Sequence, residues 1–396
     1  MSLREAFRVA LQAIVANRLR SFLTTLGVVI GVLSVVLLVS IGQGARSEIT
    51  GAIEGLGSNL LFVLPGDGDF GGPPTRSRFT LEDVDALERA LPGAGPRVSG
   101  QVVGTEPVSA DGERVVTTVY GVSAGHEIVV DRTIARGQGF AVSDVVGSRR
   151  VAIVGSDVAE ALFDTLDPIG RSITISGSRY RIIGVLERVG SSAFGPSPDQ
   201  DVLVPITTGL RLLSVSNVDA IYVRADTAAA IEDDVALIER VLSQRHSPDE
   251  FSVFTQEEIV GVIDTILNIL TFFLAAIAGI SLLVGGVGVS NIMLVSVSER
   301  TREIGLRKAL GARTRDVTTQ FLLEAVVLTG LGGVLGLGLG VGLARLVAAT
   351  SPVPAEVTTW SVMLALGVST LVGLVFGVLP ARRAGRLDPV EALRHD

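Results

Sequence analysis

One short pattern in the sequence has the form of a catalytic site. Residues 121–125 read GVSAG, which matches G-x-S-x-G and would make Ser123 a nucleophile. Such a serine needs a strand before it, a helix after it and a histidine base. A strand-like run precedes Ser123, but residues 126–139 show no helical stripe, and this part of the chain holds no histidines besides His126 and His246. We therefore interpret GVSAG as a turn between strands and predict no catalytic residue.

Metal-ligand and phosphate-binding patterns fail in the same way. His126, His246 and His395 lie far apart without i, i+4 partners, and residues 67–69 lack the spacing of a calcium loop, so we expect surface turns here. The chain has no cysteine, which excludes disulfides and thiolate-bound zinc. A P-loop needs GxxxxGK followed by Ser or Thr, whereas the only lysine, Lys308, lies in GLRKALG. We predict no metal site, no bound cofactor and no P-loop ATPase activity in this chain.

The densest cluster of charge is residues 298–317, SERTREIGLRKALGARTRDV, which lie between two apolar stretches. A short helix in water between two membrane helices needs such charge to stay soluble. We interpret Ile304, Leu306 and Leu310 as an apolar ridge for a groove, and Gly305 and Gly311 as turn positions. The alternative is a positively charged loop that only fixes membrane topology, but such a loop would not require the interspersed acidic residues and ordered apolar positions.

Four apolar stretches are long enough to cross a bilayer, which needs roughly 20 residues. They separate a large polar segment from short polar ones, and a cleaved signal peptide is a poorer explanation of the first. The predicted segments are an interfacial amphipathic helix at 1–22, membrane helices at 23–42, 263–297, 318–349 and 360–380, a large domain at 43–262, a charged loop or helix at 298–317, a short loop at 350–359 and a terminal helix at 381–396.

Positive residues predict the orientation in the membrane. Residues 1–20 hold four arginines, residues 298–317 hold six Arg or Lys, and residues 382–396 hold four arginines, whereas the 350–359 loop holds none. Because positive residues favour the cytoplasmic side, we expect both termini and the 298–317 segment in the cytoplasm of a prokaryotic cell and the large domain outside its plasma membrane. That domain carries 18 arginines against 31 acidic residues, so we predict no nucleic-acid binding.

The large domain mixes strand and helix signals. Residues 112–122, 171–186 and 218–225 are rich in β-branched and aromatic residues, whereas residues 80–91 and 157–166 have helical spacing with acidic first turns. We predict an α+β extracytoplasmic domain, of two subdomains, inserted between the first and second of four transmembrane helices. The helices flanking it are expected to extend beyond the membrane as stalks.

Glycines recur four residues apart in the apolar stretches. Small residues at this spacing let helices approach closely, either within one bundle or between two subunits. The candidates for packing or dimer contact are Gly27, Gly31, Gly332, Gly336, Gly340, Gly373 and Gly377.

Several blocks, in a fixed order, resemble MacB-type permeases of the FtsX-like group of ABC transporters. They include NRLRSFLTTLGVVIGVLSVV, DPIGRSITISGSRYRIIGVL, ERTREIGLRKALGAR and LPARRAGRLDPVEALR. The resemblance implies a homodimer, or a pair of related permeases, attached to ATPase subunits that bind ATP and Mg²⁺. It also implies that ATP binding and hydrolysis move the stalks and the large domain, and that substrate need not pass between the membrane helices. Unlike MacB itself, this sequence carries no fused ATPase domain, so we expect the ATPase on a separate chain.

In this interpretation the charged segment couples the permease to its ATPase. The predicted coupling residues are Glu299, Arg300, Thr301, Arg302, Glu303, Ile304, Gly305, Leu306, Arg307, Lys308, Leu310 and Gly311. The resulting function is export or extraction of a substrate by mechanical work, with the lipid membrane and a possible periplasmic adaptor as further partners. The alternative is a membrane-tethered extracytoplasmic enzyme or receptor without an ATPase. The substrate stays open between peptides, lipoproteins, small amphiphiles and activation of a cell-wall hydrolase.

Overall fold

The computed structural model describes residues 18–54, 59–68, 78–190, 197–351 and 353–394. The chain forms two compact units. The helical bundle comprises Met1–Ser47 and Thr265–Asp396, and the inserted domain comprises Glu48–Asp264. Most of the predicted interfacial helix at 1–22 lies outside the described residues; Arg18–Phe22 form the start of the first long helix.

Four helices of the described chain are long and apolar enough to cross a membrane. They are α1 (Arg18–Glu54), α8 (Gln256–Glu299), α10 (Thr314–Thr350) and α11 (Thr359–Gly385). As expected, α1 and α8 continue well beyond the length of one membrane crossing. Helix α8 has 44 residues, so it is roughly 66 Å long at about 1.5 Å per residue, twice the hydrocarbon thickness. Two short helices, α9 (Thr301–Ala309) and α12 (Pro389–Arg394), complete the bundle.

The inserted domain is built on one mixed sheet. The strands are β1 (Leu60–Pro65), β2 (Val98–Ala110), β3 (Glu113–Val122), β4 (Ile134–Gly137), β5 (Val151–Val154), β6 (Ser172–Ile175), β7 (Ser178–Leu186), β8 (Val202–Pro205), β9 (Ala220–Arg224) and β10 (Phe251–Thr255). Their order in the sheet is β10-β1-β9-β2-β3-β8-β5-β7-β4, and β6 pairs with both β2 and β7. The helices are α2 (Leu81–Ala90), α3 (His126–Val129), α4 (Val142–Val146), α5 (Ser156–Phe163), α6 (Ile206–Leu212) and α7 (Ile231–Leu242).

The α+β class is confirmed. Two subdomains are expected from the sequence, but all ten strands pair in a single sheet. The hairpin of β2 and β3 is paired from Gln101–Val122 to Ala110–Glu113. Val102 of β2 belongs to the hydrophobic core under α2 and α7, whereas Val108 of the same strand belongs to the core under α5. One long strand therefore contributes side chains to two cores.

The GVSAG segment is a turn between a strand and a short helix, not between two strands. Ser123 follows β3, and its Oγ accepts a hydrogen bond from Gly100 N at 3.0 Å. Its own amide donates to Gly100 O, which continues the β2–β3 pairing. His126 lies at the start of α3 and is buried, so its assignment to a surface turn is wrong. It pairs with Ser99 at 2.9 Å. Ser123 thus has a structural role in the sheet.

The four long helices close a ring in which each packs on two others. Glycines mark the contacts because a Cβ there would fall within van der Waals distance of the neighbouring helix. Gly27 and Gly31 of α1 face α8, and the three candidate glycines of α10 face α1. Gly373 and Gly377 of α11 face α10. All seven candidates therefore pack inside this one bundle, the first of the two roles predicted for them.

Replacement of Gly336 by Leu tests this packing. A Cβ at Gly336 would lie 2.7 Å from the backbone oxygen of Val29, so the two helix axes must separate. We expect the free energy of unfolding to fall by about 1–3 kcal/mol, as in other overpacked cores. Gly338→Leu on the same helix is the matched control because Gly338 has open space around it. Thermal unfolding in detergent micelles measures both, and equal stability of the two variants would contradict the assignment.

Candidate functional site

The charged segment folds as a short helix at one end of the bundle. Helix α8 ends at Glu299, and Arg300 leaves helical geometry before α9 begins at Thr301. After α9, Gly311 takes a positive φ of 101°, which any other residue would adopt only with strain. The Asp316 carboxylate then accepts a 3.0 Å hydrogen bond from Arg313 N and caps the start of α10. Gly311 is thus the turn residue that the sequence predicts.

One face of α9 is buried against its own bundle. Ile304 is 1% exposed and belongs to the same hydrophobic core as Val317 and Phe321 of α10. Gly305 lies mid-helix, where a Cβ would come within 2.7 Å of the Ala392 Cβ of α12. Two predictions are therefore corrected: Ile304 is not part of an outward ridge, and Gly305 permits close helix contact and does not form a turn.

Helix α12 provides the surface that Gly305 meets. Asp388 caps it, because its Oδ1 accepts hydrogen bonds from Val390 N at 2.7 Å and Glu391 N at 3.4 Å. Pro389 is the first helical residue, where its missing N–H costs nothing. Ala392 is 2% exposed. The end of the described chain therefore supports α9 from one side.

A chain of polar contacts holds α9 to α10. Glu324 is buried in α10 with a side chain that is 4% exposed, and its carboxylate lies 3.4 Å from the Arg300 guanidinium. Gln320 donates to the same carboxylate at 3.3 Å and accepts from Arg307 at 2.9 Å. Arg307 also pairs with Glu303, one turn earlier on α9, at 2.6 Å. Each buried side chain in this set of contacts has a hydrogen-bond or ion-pair partner, which is the condition for its burial.

Lys308 fixes α9 to the end of α11. Its Nζ donates to the backbone oxygens of Gly385 at 2.8 Å and Leu387 at 2.7 Å. Helix α11 ends at Gly385, so these carbonyls lack intrahelical partners and attract a cation. The only lysine of the chain therefore binds a helix C-terminus.

The opposite face of α9 is uncovered. Leu306 is 54% exposed and Leu310 is 81% exposed, and Arg302 is exposed as well. Of the twelve predicted coupling residues, six thus face outward: Glu299, Arg302, Glu303, Leu306, Leu310 and Gly311. Among the others, Thr301 bonds to the last turn of α8, and Arg300, Ile304, Gly305, Arg307 and Lys308 fix the helix in place.

Gln320 and Glu324 belong to this site, although the sequence analysis does not assign them to it. Both are buried. Their signal in the sequence is a pair of polar residues at i, i+4 near the end of an apolar stretch, and such spacing places two side chains on one helix face. Their partners on α9 become evident only in the folded bundle.

Comparison with known families agrees with this architecture. The MacB-like periplasmic core domain matches residues 21–241, and the FtsX-like permease C-terminal domain matches residues 275–389. The chain belongs to the MacB and FtsX-like family of ABC transporter permeases. The permease is accordingly a multi-pass membrane protein with a MacB-like domain between its first and second membrane helices.

Two relatives show how far the similarity extends. The permease is 39% identical to the macrolide export ATP-binding/permease protein MacB of Azoarcus sp. strain BH72 over 98% of its own chain, but that match covers 59% of MacB. It is 37% identical to the ABC transporter permease YknZ of Bacillus subtilis strain 168 over the whole length of both chains. The permease thus spans about three fifths of the MacB relatives it matches.

One solved structure matches about half of this chain. The periplasmic region of MacB from Actinobacillus actinomycetemcomitans has a TM-score of 0.44 and 17% identity, over 54% of this chain and 95% of that one.

Replacement of Lys308 by Met tests the anchoring of α9. The change removes two charge-assisted hydrogen bonds and leaves two helix-end carbonyls unpaired, so we expect the free energy of unfolding to fall by about 1–2 kcal/mol. Arg302→Met is the matched control, since Arg302 is exposed and such changes stay within about 0.5 kcal/mol. Denaturant unfolding in detergent micelles measures both. A Lys308→Met variant as stable as Arg302→Met would refute the anchoring role.

Proposed function

We propose that the permease transmits the work of ATP hydrolysis by an ABC ATPase to its inserted domain, for export or extraction of a substrate. The ATPase docks on the uncovered face of α9, and it alone binds ATP and Mg²⁺. One observation carries this proposal: α9 is fixed to α10, α11 and α12 on one side and leaves Leu306 and Leu310 bare on the other. Membership of an ABC permease family supports an ATPase partner.

The two faces of α9 serve different needs in this proposal. A leucine that is 81% exposed, beside another that is 54% exposed, is a surface that a partner protein can cover. The buried face links α9 to α10 through Arg307 and to the end of α11 through Lys308. A push on Leu306 or Leu310 is therefore passed to two membrane helices and is not absorbed by a loose loop.

The proposed orientation follows from the positively charged segments. We place α9 and both termini in the cytoplasm, where ATP is available, and the inserted domain on the other side of a prokaryotic plasma membrane. We also propose that two permease copies, or this chain and a related one, share the complex. This assembly follows from the family resemblance.

Cysteine labelling tests the orientation directly. The chain has no native cysteine, so a single introduced thiol is the sole target of a maleimide. Val116 lies in the inserted domain and is 65% exposed. Leu310 lies just after α9 and is 81% exposed. We expect a membrane-impermeant maleimide on intact spheroplasts to label Val116→Cys at once and Leu310→Cys only after permeabilisation. The cysteine-free parent gives the background, and the reverse labelling pattern would overturn the orientation.

Alanine substitution tests the docking surface. We expect Leu306→Ala combined with Leu310→Ala to weaken ATPase binding about 30-fold or more, the effect of losing about 2 kcal/mol of contact at an interface centre. The matched control is Leu166→Ala, a leucine of the inserted domain that is 52% exposed. Affinity is measured with the purified ATPase and the permease in nanodiscs, together with ATP hydrolysis by the complex.

The same experiment distinguishes docking from folding. The double variant should unfold at the parent's temperature because neither leucine is buried in the bundle. An ATPase that binds the double variant as tightly as the parent would rule out α9 as its docking site.

A further inference from the structure

A small cavity lies within the inserted domain, away from α9. Its volume is about 180 Å³, and its walls come from β1, β2, β3, β7, β9, from β8 and the residue before it, and from the segment between α3 and β4. The residues that give it chemical character are Phe62, Tyr120, His126, Arg132, Asp201 and Tyr222. The whole chain has three tyrosines, and two of them line this one cavity.

His126 presents an unused acceptor to the cavity. Its side chain is buried, with 7% of the residue exposed, and its Nδ1 lies 2.9 Å from Ser99 Oγ. Ser99 Oγ can donate to Gly100 O, 3.4 Å away, while it accepts from Nδ1–H, and in that tautomer Nε2 keeps a free lone pair. Burial, together with the charge of Arg132, lowers the pKa of His126 to about 3, and the ring is neutral at pH 7. Nε2 has no hydrogen-bond partner among the described residues.

Two phenol groups add hydrogen-bond donors to this acceptor. Within the described part of the chain, neither the Tyr120 nor the Tyr222 hydroxyl makes a hydrogen bond, although each can donate one. Burial raises the pKa of Tyr222 to about 12, so this phenol keeps its proton at neutral pH. Burial also raises the pKa of Tyr120. Both tyrosines are half-buried, so a ligand in the cavity can accept from these hydroxyls in place of solvent.

Arg132 and Asp201 form a pair in the cavity wall whose charges do not cancel. Arg132 donates to Pro198 O at 3.1 Å, and its guanidinium lies 3.7 Å from the Asp201 carboxylate, too far for a hydrogen bond. Burial raises the pKa of Asp201 to about 7 against the opposing effect of Arg132, and Asp199 adds to the rise. A guanidinium keeps its charge in proteins, whereas the Asp201 carboxylate, with a pKa of about 7, is partly protonated at neutral pH. The cavity is therefore positive on balance and suits an anion.

Aromatic rings form the remaining wall. Phe62 and Tyr222 meet edge to face with ring centroids 5.7 Å apart, and His126 meets Tyr222 in the same manner at 5.9 Å. Rings so arranged present edges and faces to a flat guest. The volume of about 180 Å³ is similar to that of an engineered protein cavity of about 150 Å³ that binds benzene, so it is room for a body of one small ring.

We propose that this cavity binds a small aromatic carboxylate, of the size of benzoate. The carboxylate would accept hydrogen bonds from Arg132 and the tyrosine hydroxyls, and the ring would lie among the aromatic side chains. A hydroxyl or amino group on that ring would have His126 Nε2 as its acceptor. This inference concerns the inserted domain alone and does not depend on the proposed coupling to an ATPase.

Fluorine NMR on the full-length permease in detergent tests the proposal. Growth with 3-fluorotyrosine gives three signals, one for each tyrosine, and Tyr120→Phe and Tyr222→Phe assign two of them. Titration with benzoate should shift the Tyr120 and Tyr222 signals with a common Kd in the millimolar range, as expected for a ligand of about nine heavy atoms. The signal of Tyr180, which is buried elsewhere in the domain, should stay fixed and report an intact fold.

Matched variants and ligands give the decisive comparisons. Arg132→Gln should weaken benzoate binding at least about tenfold, since it removes the attraction between the guanidinium and the benzoate carboxylate. Arg136→Gln, at an exposed arginine nearby in sequence, should not change the Kd. Benzylammonium, with the same ring and the opposite charge, should bind more weakly than benzoate. Fixed Tyr120 and Tyr222 signals, equal shifts of all three signals, or tighter binding of benzylammonium would each overturn the proposal.

Discussion

Burial of the Glu324 carboxylate is the interaction on which the end of the bundle depends. A carboxylate near the end of a membrane helix is stable only with partners, and Arg300 and Gln320 supply them. Because Gln320 also accepts from Arg307, the need to satisfy one buried group fixes the rotation of α9. That rotation turns Ile304 inward and Leu310 outward. The exposed face of α9 is thus a consequence of an electrostatic requirement inside α10.

The sequence predicts the membrane-spanning part of the fold well because local patterns decide it. Hydropathy determines the four long helices, a cap residue and a proline set the start of α12, and glycine spacing marks the helix contacts. The sequence is less informative on α9, where five polar residues, one glycine and three apolar residues leave two faces possible for burial. The buried face is the one that meets α10 and α12, and these helices approach α9 only in the folded chain. The predicted roles of Ile304 and Gly305 are wrong for that reason.

The inserted domain shows the limits of the sequence more clearly. Its strands and principal helices follow from β-branched runs and acidic first turns, yet the pairing of β2 with β9 joins segments more than 100 residues apart. His126 looks like a lone histidine in a turn until Ser99 is placed beside it. The cavity residues extend from Phe62 to Tyr222, and no spacing rule unites them. Tertiary pairing alone creates that chemistry.

The exposed side chains of α8 restrict how this helix can move. Its uncovered apolar residues run from Ile266 to Val287, a rise of roughly 32 Å, which equals the hydrocarbon thickness of a bilayer. A vertical slide of one turn, about 5.4 Å, would push bare aliphatic side chains among the headgroups at one end and leave the lipid tails a poorer match at the other. A small tilt of α8 about an axis in the membrane plane keeps its apolar side chains within the hydrocarbon layer. Helix α8 is therefore suited to act as a lever and not as a piston.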